Sequence, residues 1–71
     1  MEYTIVIEQT QRNFSAYAPD FPGCIATGTS RDEVIGEMHA AISVHIESLR
    51  EHREPVPAPR CSAAVVNVAA G

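Results

Sequence analysis

The sequence predicts an α+β domain in the order strand, strand, strand, helix, strand, with one long helix laid across one face of a sheet. Three observations carry this prediction. Apolar and polar residues alternate with a period of two through Tyr3–Glu8 and again through Phe14–Ala18. Ser30 and Glu33 form an S-x-x-E capping box at the head of an amphipathic stretch of about six turns. Proline-rich segments follow the second strand and the helix, where neither a helix interior nor an inner strand tolerates them.

In the first strand, Tyr3, Ile5 and Ile7 alternate with Thr4 and Glu8, and the run is rich in β-branched residues. The short polar run Gln9–Asn13 then returns the chain through Phe14–Ala18, which makes an antiparallel hairpin. Pro19, Asp20, Phe21, Pro22 and Gly23 stop regular structure, because each proline fixes φ and lacks a backbone donor while Gly23 permits positive φ. Cys24–Gly28 is short and apolar, a third strand leading into the helix.

The helix is expected from about Arg31 to about His52. In the capping box, each side chain satisfies an orphan amide at the helix start, and Asp32 adds negative charge at the positive end of the dipole. At about 100° per residue, Val34, Ile35, Met38, Ala41, Ile42, His45, Ile46 and Leu49 fall within about 140° of arc. That arc is the face expected to be buried. Glu37, Ser43, Glu47, Arg50 and Glu51 lie outside it, and Val44 is the apolar exception, a candidate partner contact. Glu54–Pro59, with prolines at 55, 57 and 59, is expected to run as polyproline II. Ala63–Val68, with Val65, Val66 and Val68, is expected to be a fourth strand.

With 71 residues the chain holds one domain, residues 1–71, and a core this small seldom supplies more than about 3–5 kcal/mol. Self-association into a homodimer or higher homo-oligomer follows as an expectation. Apolar residues make up 45% and charged residues 20%, which excludes a disordered chain. Nine acidic residues face five arginines and no lysine, a net charge of −4 that argues against direct nucleic-acid binding. Met1–Glu8 has no basic n-region, and no apolar run is long enough to span a bilayer, so the expected compartment is the cytoplasm, with Cys24 and Cys61 reduced.

Pro19-Asp20-Phe21-Pro22-Gly23-Cys24, then Thr27 to Glu33, then the helix carrying Ala41, Ile42 and His45, then Glu54 to Pro59, closely resemble the HicB-like antitoxin family over nearly the whole chain. The resemblance implies a degenerate ribonuclease H-like fold, with a mixed four-stranded sheet in the order 3-2-1-4 and the helix on one face. It also implies a partner, a small HicA-like toxin that cleaves mRNA, and a mode of action, occlusion of that toxin. Many members carry a C-terminal DNA-binding module, and none is expected here. The different reading kept beside it is an orphan homo-oligomeric scaffold or small-ligand-binding domain without a toxin.

No enzyme is expected. Two-metal nuclease chemistry needs several carboxylates converging on two cations, whereas the first strand offers Glu8 at its end, the last offers Asn67 and no acid, and Glu33 and Glu37 lie off the buried stripe. His45 and His52 share a helix face but stand about 10 Å apart along it, too far for one ion with ligands about 2 Å away. His39 points elsewhere, His45 reads as a core residue, and His52 suits the helix C-terminus. No metal or cofactor is expected. Cys24 lacks a partner base and reads as a buried strand residue. Asp20 reads as a turn cap ahead of a functional carboxylate. Phe21 is either a partner contact or tucked under the sheet. Arg50, Arg53 and Arg60 are too few and lack interleaved aromatics for a nucleic-acid site. The expected interface lies on the open sheet face, the Pro19–Cys24 loop or an edge strand.

Overall fold

The computed structural model describes residues 1–70. Strands β1 (Val6–Gln9), β2 (Phe14–Tyr17) and β3 (Ile25–Gly28) precede helix α1 (Arg31–Glu51). The strands form an antiparallel sheet in the order β1-β2-β3, so β1 and β3 are its edges. Register is set by Val6 opposite Tyr17, Gln9 opposite Phe14, Phe14 opposite Gly28 and Tyr17 opposite Ile25.

The β1–β2 turn is closed by Thr10, whose N–H donates to the Asn13 carbonyl at 2.8 Å and whose Oγ1 accepts the Asn13 N–H at 3.0 Å. β1 starts at Val6 rather than Tyr3 for a reason visible in the register. Its partner β2 ends opposite Val6 and turns away at Pro19, leaving Tyr3–Ile5 with no strand to pair against.

The helix starts where its capping residues dictate. Ser30 Oγ accepts the Glu33 N–H at 3.1 Å, and the Glu33 carboxylate reaches back to the N–H and hydroxyl of Thr29, one residue before the cap. Its end is a Schellman motif, in which Arg53 N–H donates to Arg50 O at 3.1 Å and Glu54 N–H to Leu49 O at 2.8 Å. Arg53 occupies the left-handed position with φ 55°. Gly28, at the strand-to-helix junction, lies so close to the helix that a Cβ there would stand 2.9 Å from Val34 N.

The core is Ala16, Ala18, Phe21, Cys24, Val34 and Met38, with Tyr3, Ile5, Ile7, Phe14, Ala26, Ala41, Ile42, Ile46 and Leu49 half-buried around it. Only Val34 and Met38 of the expected helical stripe are fully buried. Geometry explains the shortfall: four-residue strands extend about 13 Å, whereas a 21-residue helix extends about 32 Å. The second half of α1 extends past the sheet, where Phe21 of the Pro19–Cys24 loop meets His45. His45, read from the sequence as a core residue, is therefore solvent-exposed, with its ring against Phe21.

The fourth strand expected over Ala63–Val68 is not formed, and the sheet has three strands rather than four. The order β1-β2-β3 matches the 3-2-1 part of the order 3-2-1-4, with the place beside β1 left open. β-branched residues favour extended backbone, but a strand also needs a neighbour, and here residues 62–70 are exposed throughout. Glu54–Pro59 forms neither helix nor strand, and Pro57 is held by the Tyr3 hydroxyl donating to its carbonyl at 2.6 Å.

Candidate interaction surface

The Pro19–Cys24 loop is two turns in succession. Phe21 N–H donates to Ala18 O at 3.0 Å, Cys24 N–H to Phe21 O at 3.0 Å, and Ala18 N–H to Cys24 O at 3.2 Å. Gly23, at φ 86°, supplies the left-handed step. This backbone turns Phe21 inward, to 1% exposure, where its ring meets Tyr3 edge-on at 4.7 Å and His45 at 5.4 Å. Phe21 thus belongs to the core and offers no surface to a partner. Pro19 is half-buried and Pro22 exposed.

Asp20, expected to cap its own turn, acts at longer range instead: its carboxylate accepts the backbone N–H groups of Arg60 and Cys61 at 3.3–3.4 Å, fastening the C-terminal segment to the loop. Both thiols are free, Cys24 buried and Cys61 exposed. Burial pushes the Cys24 thiol up, and the hydrogen bond to Asp20 pushes the Cys61 thiol up, the opposite direction from the lowered pKa of an activated thiol. Ser30 and Glu33 serve the helix start. His39 and His45 are exposed, and His52 sets Nδ1 2.7 Å from Ser48 O at the helix end. Among the described residues no three His, Cys, Asp or Glu side chains group to hold a metal ion. No described helix is long and apolar enough to cross a membrane.

What the fold does present is a surface. Alternation places Ile7, Ala16 and Ala26 under the helix and their neighbours Val6, Tyr17 and Ile25 in a row across the other face. Tyr17 is 43% and Ile25 73% exposed. Around the β3 edge a groove of about 490 Å³ opens between Ile25 and the helix, lined also by Gly23, Glu37 and His45, with Val44 standing 65% exposed. The β3 edge thus combines unpaired backbone groups, three exposed apolar side chains nearby and an acidic residue. Val44 is legible in the sequence because it breaks the helical stripe. The period-two rule places Tyr17 and Ile25 on the opposite face from buried Ala16 and Cys24, but only the register brings the two side by side.

The sequence profile describing the HicB-like antitoxin of bacterial toxin-antitoxin systems matches residues 3–69. The chain belongs to the HicB-like antitoxin family. This HicB-like chain is 33% identical over 58 residues to a UPF0150 protein of Thermoplasma acidophilum, covering 80% of this chain and 84% of that protein. It is 37% identical over 57 residues to a 14.9 kDa protein of Haemophilus phage HP1, covering 80% of this chain but 43% of the phage protein. A chain from the solved HicA3 and HicB3 toxin-antitoxin complex superposes with a TM-score of 0.69 and 33% identity, over 84% of this chain and 70% of that one.

Proposed function

We propose that this HicB-like chain is a non-enzymatic antitoxin that binds a small, basic HicA-like toxin and occludes the surface with which that toxin cleaves mRNA. The observation that carries this reading is the likeness, in both sequence and fold, to a chain of a HicA3 and HicB3 complex. Physical features agree with it. The net charge of −4 favours a basic partner and disfavours RNA. The β3 edge can accept a partner's strand while Tyr17, Ile25 and Val44 supply apolar contact and Glu37 supplies charge. Occlusion needs shape and charge rather than reacting groups, so neither metal nor cofactor enters. The reading further assigns the chain to the cytoplasm, where Cys24 and Cys61 stay reduced, and treats residues 1–71 as one HicB-like unit that does not itself bind DNA.

The test is co-expression with a short basic protein encoded beside it, followed by size-exclusion chromatography. Co-elution as one stable species supports the antitoxin role. Separate elution contradicts it and favours the orphan homo-oligomeric scaffold.

A further inference from the structure

The β1 edge and the C-terminal segment are each incomplete, and each has what the other lacks. β1 is an edge strand, and from Tyr3 to Gln9 the chain is β-branched with Glu8 as its one charge and no lysine or proline to blunt it, the kind of edge that proteins normally cover. The helix packs over β2 and β3 and leaves, beside β1, an apolar groove of about 320 Å³ lined by Tyr3, Ile5, Ile35, Met38, Ile42 and Ile46.

Residues 62–70 leave the body of the molecule as an arm. The radius of gyration is 14.1 Å, against about 11 Å for a compact chain of this length. The longest extent is 51 Å where the next is 25 Å, a difference that nine extended residues, spanning about 30 Å, account for. On that arm Val65, Val66 and Val68 are 100%, 76% and 69% exposed. At its root the chain is pinned, by Asp20 to the N–H groups of Arg60 and Cys61 and by the Thr4 hydroxyl donating to Cys61 O at 2.7 Å. The arm therefore starts at the head of the β1 edge without lying along it.

We propose that two copies of this chain exchange these arms: residues 62–70 of each pair with the β1 edge of the other, completing a four-stranded sheet in both. Alternation then sends Ala64, Val66 and Val68 to one face of the added strand, toward the groove lined by Ile5, Ile35 and Ile42. A second copy is the favoured occupant because the arm is long enough, apolar enough and projected outward. The exchange is also self-complementary, as a two-fold dimer requires. It uses the β1 edge and leaves the β3 edge free, and it does not rest on the toxin reading.

The test uses the full chain without any partner. Sedimentation equilibrium is expected to give twice the 7.7 kDa chain mass, and the V66D/V68D double variant is expected to give the single-chain mass while keeping its helical circular dichroism. Should that variant fail to fold, isotope-filtered NOE spectroscopy decides on the wild type. A labelled and an unlabelled sample are mixed in denaturant and refolded together. Contacts from the Val66 and Val68 methyls of one copy to Ile5 or Ile42 of the other support the exchange. A wild-type monomer overturns the proposal, as does a dimer in which those contacts arise only within one chain.

Discussion

Both carboxylate oxygens of Asp20 face the backbone N–H of Arg60, each at 3.3 Å, so a loop residue holds the chain forty positions further on. The same carboxylate, first as hydrogen-bond acceptor for the thiol and then as a neighbouring charge, holds the Cys61 thiol above its ordinary range. Asp20→Ala removes both the acceptor for the thiol hydrogen bond and the neighbouring charge, brings the Cys61 pKa down toward the ordinary thiol range and increases the thiolate present near pH 8.5. The expected result is faster iodoacetamide labelling of Cys61, with the pH–rate profile displaced to lower pH. An unmoved profile would show that Asp20 does not govern this thiol.

Gly28 is required by contact rather than by φ. An alanine Cβ would sit 2.9 Å from Val34 N and 3.2 Å from Val34 Cα, both backbone atoms that cannot rotate away. Gly28→Ala is expected to destabilise the fold by about 1–3 kcal/mol, the cost of forcing packed elements apart. The midpoint of urea denaturation measures it.

Arg53 holds the left-handed position of a Schellman motif, where a side chain costs about 1–2 kcal/mol relative to glycine. Glycine also gains freedom in the unfolded chain, which offsets part of that. The net expectation for Arg53→Gly is a stabilisation of roughly 0.5–1 kcal/mol, read as a higher denaturation midpoint at unchanged slope.

Cys24 titrates higher in the folded protein than in the unfolded chain because it is buried. Its contribution to stability is therefore complete below the ordinary thiol pKa and is lost as pH rises through the folded value. Denaturation midpoints are expected to fall on going from pH 8 to pH 10.5, and Cys24→Ala is expected to flatten that fall.

Local chemistry made the three described strands, the Pro19–Gly23 loop and the helix legible in the sequence. Ser30 marks the helix start and Pro55 follows its end closely, so the expected span of Arg31 to about His52 differs from the observed one by one residue. Properties that depend on other elements were not legible. Arc on a helical wheel placed His45 among buried residues, but a wheel does not report that the sheet is too short to reach it. Val65, Val66 and Val68 have strand propensity, yet propensity does not name the strand they pair with. Phe21 was ambiguous because its direction depends on the two turns that Gly23 permits. At the interface, charge and Val44 were readable, whereas the row formed by Tyr17 and Ile25 required the register.

The most direct test of the proposed antitoxin role is RNA cleavage by a HicA-like toxin, titrated with wild-type protein and with an Ile25→Arg/Val44→Arg variant. Cleavage is expected to stop at stoichiometric wild-type protein and to persist with the variant, whose circular dichroism should be unchanged because both side chains are exposed. Cleavage that continues undiminished in an excess of folded wild-type protein would contradict the antitoxin reading.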